Sequence, residues 1–141
     1  MKKSLILTTC MSILGLNVLP AFGDEQPVHC SLATLHGTYA FAGTGTYNGD
    51  PYSTSGRETY DGKGHIKYFQ LWDEAGVTYT YTGTGTYTLT SDCVATASYG
   101  VNSTFTYFVA PDGHIFFYNN NNNTGNMSAG HEERISWELL F

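Results

Sequence analysis

The chain has 141 residues, of which 13% are charged and 15% aromatic, and its twelve acidic residues outnumber its six basic ones. This length suits a single domain with a modest hydrophobic core. Because the few basic residues form no extended cluster, the composition argues against nucleic acid and against anionic membrane surfaces as partners.

Residues 1–23 have the pattern of a secretory signal peptide. Lys2 and Lys3 precede an apolar run of sixteen residues, and Ala21-Phe22-Gly23 offers a small-x-small cleavage site. The apolar run is shorter than the roughly 20 residues that a transmembrane helix needs. We therefore expect export to the periplasm or the medium, with residues 24–141 as a single mature β-barrel domain that carries four basic and twelve acidic residues.

Removal of the signal peptide leaves one pair of cysteines, Cys30 and Cys93. In an exported protein such a pair predicts a structural disulfide. A metal site is the alternative, but neither cysteine has a second Cys or a His near it at ligand spacing. Closing a loop of this length would stabilise the fold by about 4 kcal/mol in the chain-entropy model.

Tyr, Thr, Phe and Gly dominate the mature chain, and no segment has helical periodicity, which together indicate an all-β protein. Turn signals such as Asp61-Gly62-Lys63-Gly64 and Pro111-Asp112-Gly113 separate the alternating segments. Strands joined by hairpins predict a single antiparallel meander, and closing about eight strands into a small barrel removes their exposed edges. An open sandwich is the alternative architecture. The predicted strands are 37–47, 55–60, 65–72, 77–88, 93–99, 103–109, 114–118 and 134–140.

The first and fourth predicted strands are near-repeats of each other. Residues 38–47 read TYAFAGTGTY and residues 78–87 read TYTYTGTGTY, with seven of ten positions identical. The alternation predicts two strands of the same design, with rings at the ends and glycines in the middle of one face. Before the last strand, residues 119–130 begin with five consecutive Asn and predict a polar loop, for which a binding lid is the alternative to a solvated linker.

Three motifs carry a family resemblance. They are the run CSLATLHGTY at residues 30–39, the Asp-Gly-x-Gly hairpin at residues 61–64, and Gly-Thr-Tyr-Thr at residues 85–88 followed by Asp92-Cys93. They resemble a loosely defined group of small exported bacterial proteins, over most of the mature chain. The resemblance implies a lipocalin-like (calycin-type) β-barrel, and it implies no activity and no cofactor.

Two histidines could carry chemistry, because His65 and His114 each directly follow a hairpin turn. In a meander both would lie at the same end of the barrel, where a joint metal or acid–base site with Asp61 or Asp112 is conceivable. Polar residues that leave turns explain the same pattern without a site. We favour this second interpretation and predict no metal and no cofactor.

No known catalytic motif occurs in the chain. The adjacent carboxylates Asp73/Glu74 and Glu132/Glu133 point to opposite faces of a strand, so we expect solvated turn charges rather than acid–base pairs. The sequence therefore assigns no catalytic residue and leans against an enzyme.

The aromatic residues suggest a ligand site inside the barrel. Rings and glycines share one face of each repeated strand, which leaves either a pocket for one small ligand or a solid aromatic core. We favour non-catalytic binding of a small apolar or aromatic ligand. The predicted lining residues are Tyr39, Phe41, Tyr79, Tyr81, Phe105, Tyr107, Phe117 and Trp137.

Two other functions remain open from the sequence. Exposed Tyr and Thr faces and the Asn-rich loop would suit a surface or envelope interaction protein. The apolar alternation that ends in Phe141 resembles the last strand of a small outer-membrane barrel, although several predicted strands are shorter than the about 9–11 residues that such barrels use.

Overall fold

The structure of the protein is a computed structural model that describes residues 29–101, 103–120 and 125–141. The predicted signal peptide and residues 121–124, which include the last three residues of the Asn run, lie outside these segments. Within them, no helix is long and apolar enough to cross a membrane.

The described chain forms one closed barrel of eight antiparallel strands, in which each strand pairs with the next and the last pairs with the first. A short 3-10 helix, Leu32–Thr34, precedes the barrel. This confirms the predicted all-β meander and its closure, and the open-sandwich alternative is wrong. The strands are β1 (His36–Tyr47), β2 (Asp50–Asp61), β3 (His65–Glu74), β4 (Val77–Leu89), β5 (Val94–Ser98), β6 (Thr104–Val109), β7 (Ile115–Asn120) and β8 (Met127–Ser136).

The second strand begins five residues earlier than the sequence indicated. The turn between β1 and β2 consists of Asn48 and Gly49, whose φ angles are 52° and 91°. Two consecutive positive φ values are typical of the tight hairpin turn that Asn-Gly favours. Pairing with β1 therefore starts at once, with Tyr47 opposite Asp50.

The last strand is also displaced, to Met127–Ser136 from the predicted 134–140. It contains Gly130 and two consecutive glutamates, which is poor strand composition. Pairing with β1 on one side and β7 on the other holds this segment extended in spite of that composition. Part of the predicted polar loop is therefore strand.

The barrel is asymmetric. We call the end where β1 ends and β2 begins the upper end, and the opposite end the lower end. Strands β1 to β4 have 10 to 13 residues, whereas β5 to β7 have 5 or 6. In the described segments β5 pairs with β4 only over residues 86–89. The upper part of β4 therefore stands beside a gap in the wall.

The lower end is a packed core. Tyr39 and Tyr60 are fully buried there and meet edge to face, with ring centroids 5.1 Å apart. The segment before β1 covers this end and is tied to the barrel by the predicted disulfide between Cys30 and Cys93, which the structure confirms with Cα atoms 5.1 Å apart. Burying each large side chain contributes roughly 1.5–3 kcal/mol.

The chain after β8 crosses the outer surface of β1 and β2. Thr38 Oγ1 donates a hydrogen bond to the carbonyl of Glu138 at 2.7 Å and accepts one from the N–H of Leu140 at 3.0 Å. The guanidinium of Arg57 lies 5.3 Å from the centre of the Phe141 ring. The terminal apolar residues thus lie outside the barrel rather than in a last strand.

Candidate functional site

A cavity of about 180 Å³ occupies the upper half of the barrel, above the packed core. Eight of its fourteen lining residues are aromatic, which makes its wall suited to stacking on a flat molecule. The aromatic lining residues are Phe41, Tyr52, Tyr68, Trp72, Tyr99, Phe105, Tyr107 and Tyr118, and the polar ones are Thr54, Glu58, Gln70, Ser103, Ser128 and Glu132.

Trp72 is held in a fixed orientation at the upper rim. Its ring stacks on that of Tyr52 with centroids 3.6 Å apart and planes 16° from parallel. Its indole N–H donates to Oε2 of Glu74 at 3.0 Å, and Tyr47 meets its edge. A ring fixed on three sides presents a preorganised surface to a ligand.

The repeated strands contribute their glycines to this interior. A methyl group added at Gly83 would lie 2.7 Å from the hydroxyl of Tyr68, and one added at Gly43 would lie 2.1 Å from the hydroxyl of Tyr118. The glycines therefore accommodate tyrosine rings that project from other strands and line the cavity. An aromatic ring that packs over a glycine of another strand is known to offset the destabilising effect of that glycine in a sheet.

Two carboxylic acids and three tyrosines form the floor of the cavity. Tyr60 and Tyr99 donate hydrogen bonds to Oε2 of Glu58, at 2.6 Å and 2.5 Å. The Tyr60 hydroxyl is also 3.3 Å from Oε2 of Glu132, and the hydroxyls of Tyr99 and Tyr107 are 2.5 Å apart. We call these five residues the floor cluster.

Glu58 and Glu132 are only 6% and 2% exposed, and this burial controls their protonation. Burial raises the pKa of Glu58 to about 7, against the opposing hydrogen bonds from Tyr60 and Tyr99. Burial also raises the pKa of Glu132 well above its usual range, and the negative charge of Glu58 adds to that shift. The pair therefore retains a proton near neutral pH.

The hydrogen-bond donors available in the floor cluster agree with a retained proton on the pair of acids. The Tyr60 hydroxyl has one proton, which it donates to Glu58. A protonated Glu132 completes the chain by donating to the Tyr60 oxygen. In the described segments neither carboxyl forms an ion pair with a basic side chain.

The structure brings three of the predicted lining residues to the cavity: Phe41, Phe105 and Tyr107. Tyr39 is interior but lies in the lower core below the floor cluster. Tyr79 and Tyr81 lie on the upper part of β4 beside the gap left by β5, where they stack with centroids 6.4 Å apart and are about half exposed.

The interior positions expected for Phe117 and Trp137 need correction. Phe117 is 58% exposed on the outer surface, because its neighbour Phe116 takes the inward position of β7. Trp137 follows the end of β8 and covers the guanidinium of Arg134, which lies 3.7 Å from its ring centre. Because Phe116 and Phe117 are adjacent and both apolar, the alternation of the sequence could not show which of them points into the barrel.

Sequence reasoning missed the two acids of the floor cluster. Glu132 was expected to be a solvated turn charge, which is wrong because β8 extends past it and its side chain points inward. The alternation along β2 could have revealed the inward position of Glu58. It lies on the same face of the strand as Tyr52, Thr54 and Tyr60, all of which are buried.

The joint histidine site considered from the sequence does not form. Nδ1 of His65 lies 2.7 Å from Asp61, whereas Nε2 of His114 lies 3.2 Å from Glu133, so each histidine has its own carboxylate. Both pairs are largely exposed near the lower end. Across the described segments no group of three or more His, Cys, Asp or Glu side chains is arranged to hold a metal ion.

Comparison with known proteins supports the fold. No protein-family model matches the chain, and no curated protein matches it. Among solved structures it is similar to the redesigned β-barrel mFAP1 bound to DFHBI, with a TM-score of 0.50 and 18% identity over 74% of this chain and 98% of that one. Rv2717c from M. tuberculosis has a TM-score of 0.39 and 17% identity over 73% of this chain and 94% of that one. The likeness to mFAP1 shows a shared small β-barrel fold.

Proposed function

We propose that the protein is an exported, non-catalytic barrel that binds one small, flat, largely aromatic ligand in its upper half. The observation that carries this proposal is the aromatic cavity of about 180 Å³ above a closed core. A dry engineered cavity of about 150 Å³ in another protein holds benzene, so this volume suits a ligand of one or two rings. The redesigned barrel mFAP1, which has a similar fold, is bound to DFHBI, and this adds support for an interior site.

Binding is favoured over catalysis by the surroundings of the cavity. Ser103 and Ser128 line it, but none of the described histidines does, so neither hydroxyl has an imidazole base beside it. The Oε2 atom of Glu58 is engaged by two tyrosine hydroxyls. We therefore assign the wall and the floor to recognition.

Export is part of the proposal and has two supports. The sequence of residues 1–23 has the form of a signal peptide, and the Cys30–Cys93 disulfide suits an oxidising compartment. The mature protein should be recovered from the soluble periplasm or the medium with Asp24 at its N-terminus. Recovery in the outer-membrane fraction would instead support the small outer-membrane barrel.

The binding proposal can be tested with the protein's own fluorescence. The chain has two tryptophans, so Trp137→Phe leaves Trp72, at the cavity rim, as the single reporter. Titration of this variant with coumarin, a flat two-ring compound, should give a saturable change in Trp72 emission. Native mass spectrometry of the exported protein should detect a bound small molecule.

A blocked cavity provides the control. Ser128 points into the cavity, and its neighbour Ala129 is exposed on the outer face of β8. In the Trp137→Phe background, Ser128→Phe should weaken coumarin binding at least about tenfold, because the ring fills the space. Ala129→Phe should leave the affinity within about twofold. Equal affinity in both variants, or no saturable binding and no bound small molecule, would contradict interior binding.

A further inference from the structure

The floor of the cavity has an unusual charge composition. Glu58 on β2 and Glu132 on β8 both line the cavity and are within hydrogen-bond distance of one hydroxyl, that of Tyr60. Two acids held this close in a desolvated site repel each other unless a proton or a cation lies between them. The floor cluster therefore needs either a retained proton or a bound cation to balance its two acids.

No basic side chain of the described chain supplies that cation. Lys63 lies in the exposed turn after β2, and Arg57 and Lys67 are exposed on the outer surface. Arg134 on β8 is buried, but its guanidinium donates to the Tyr39 hydroxyl and to three backbone carbonyls at the lower end. The other titratable groups around the two acids are neutral phenols: Tyr60 on β2, Tyr68 on β3, Tyr99 after β5, Tyr107 on β6 and Tyr118 on β7.

The walls above this floor attract cations as well. The faces of aromatic rings are electronegative, and Trp and Tyr bind ammonium and guanidinium groups through them. Tyr68 and Tyr99 meet edge to face with centroids 5.5 Å apart above the acids. The hydrogen bonds from Tyr60 and Tyr99 both end on Oε2 of Glu58, so Oε1 can accept one from an N–H donor.

We propose that the ligand is an organic cation, an arylalkylamine or an aromatic amidine, whose positive group binds between Glu58 and Glu132 while its ring stacks on the aromatic wall. This inference rests on the proposed ligand-binding function and specifies the chemical class of the ligand. The chemistry of the site discriminates against aromatic acids, whose carboxylates would meet two acids at the floor.

The raised pKa values add a second signature. Without ligand, burial keeps the pKa of Glu58 at about 7 and that of Glu132 well above its usual range. A bound cation favours the ionised carboxylates and lowers these pKa values, so binding releases a proton into solution at neutral pH. The affinity for a cation consequently increases as the pH rises through 7.

Three indole compounds of nearly equal size separate the possibilities. Tryptamine carries an ammonium group, tryptophol a neutral hydroxyl and indole-3-acetate a carboxylate. At pH 8, isothermal titration calorimetry should show that tryptamine binds at least about tenfold more tightly than tryptophol, with indole-3-acetate the weakest. At pH 7, titrations in two buffers of different ionisation enthalpy should show proton release with tryptamine and none with tryptophol.

Matched variants locate the selectivity. Glu58→Gln and Glu132→Gln preserve volume and should reduce the affinity for tryptamine to that for tryptophol. Glu133→Gln makes the same change one residue along β8, on the exposed face, and should leave the preference for tryptamine intact. The proton-release measurement uses the unaltered protein and therefore does not depend on whether a variant folds.

The outcomes distinguish this inference from the function on which it rests. If tryptophol or indole-3-acetate binds as tightly as tryptamine, or if the two buried-acid variants keep the preference, the cation assignment is wrong while interior binding stands. If none of the three compounds binds and coumarin does not bind either, the proposed function fails and this inference fails with it.

Discussion

The hydroxyl of Tyr39 accepts two hydrogen bonds from the guanidinium of Arg134, from Nη2 at 2.7 Å and from Nε at 3.0 Å. The same hydroxyl donates to the carbonyl of Gly113 at 2.6 Å. Arg134 Nη2 also donates to the carbonyl of Thr34, in the segment before β1. One buried cation thus joins three parts of the chain and closes the barrel beneath the cavity.

Removal of this hydroxyl should destabilise the closed lower end. Tyr39→Phe leaves Nε of Arg134 without an acceptor in a buried site and removes one acceptor of Nη2, so we expect a loss of about 1–3 kcal/mol in the free energy of unfolding. Urea unfolding followed by circular dichroism measures the loss. Tyr79→Phe removes a hydroxyl from a half-exposed ring on β4 and should change stability by less than about 0.5 kcal/mol. Equal effects of the two variants would contradict the role of Tyr39.

The floor cluster predicts a protein that is less stable at alkaline than at mildly acidic pH. An acid whose pKa is higher in the folded state stabilises that state below the unfolded pKa, and this contribution is lost as the pH rises through the folded pKa. For Glu58 the window runs from 4.5 to about 7, and the raised pKa of Glu132 acts in the same direction. We expect a loss on the order of 3 kcal/mol between pH 5 and pH 8.

Urea midpoints measured across this range check the prediction. Glu58→Gln/Glu132→Gln should flatten the profile and should be more stable than the parent at pH 8, because no buried carboxyl remains to ionise. Glu133→Gln should reproduce the parent profile, since its side chain is exposed. A parent protein whose stability rises from pH 5 to pH 8 would show that the two acids are not buried as described.

The architecture of this barrel could be predicted because its local signals agree. Alternation in β1 and β4 and the Asp-Gly turns indicate strands and hairpins without knowledge of partners. The floor cluster could not be predicted in the same way, because Glu58 and Glu132 lie on β2 and β8, which closure of the barrel brings to the two sides of β1. No local sequence pattern indicates that two residues so far apart in the chain will lie close together in the fold.

Errors in the predicted lining have local causes. A rule based on alternating apolar and polar residues cannot distinguish Phe116 from Phe117. Only the pairing of β7 with its neighbouring strands decides which of the two is buried. Trp137 was placed on a strand because apolar residues continue past Ser136, where β8 ends. Those apolar residues pack on the outer surface, which period-two reasoning does not anticipate.

The turn after β2 depends on one carboxylate. Asp61 accepts hydrogen bonds from the N–H groups of Lys63 at 2.7 Å and His65 at 3.0 Å, and its second oxygen pairs with the His65 ring. Partial burial opposes ionisation, but these contacts prevail and lower the pKa of Asp61 to about 2. Asp61→Ala should cost about 1 kcal/mol in urea unfolding, whereas Asp61→Asn keeps the oxygen acceptor and should cost less. Identical losses in the two variants would argue against the turn hydrogen bonds.

The disulfide should provide a large part of the stability. Cys30 and Cys93 are 63 residues apart, and a closed loop of this size is worth about 4 kcal/mol in the chain-entropy model. Cys30→Ala/Cys93→Ala should lower the free energy of unfolding by about that amount. Addition of a reductant to the parent should lower its urea midpoint similarly and leave the double variant unchanged. A reductant effect on the double variant would mean that the reductant acts on something other than this disulfide.

Gly83 links the repeated strand to the volume of the cavity. A methyl group there would meet the hydroxyl, Cζ and Cε1 atoms of Tyr68 at 2.7 to 2.9 Å, and these atoms are the far end of a half-buried side chain that can move. We expect Gly83→Ala to displace the Tyr68 ring into the cavity and to weaken coumarin binding several-fold. The cost in stability should stay within about 1–2 kcal/mol, because the ring has space to move into.

A second substitution distinguishes lost volume from general damage. Gly83→Ala/Tyr68→Leu removes the displaced ring and should restore most of the affinity, although it leaves the added methyl group in place. Thr82→Ala, at an exposed position one residue earlier on β4, should leave binding unchanged. If Gly83→Ala folds and binds coumarin as the parent does, the Tyr68 ring has moved elsewhere. The glycines of the repeat would then serve only the packing of neighbouring strands.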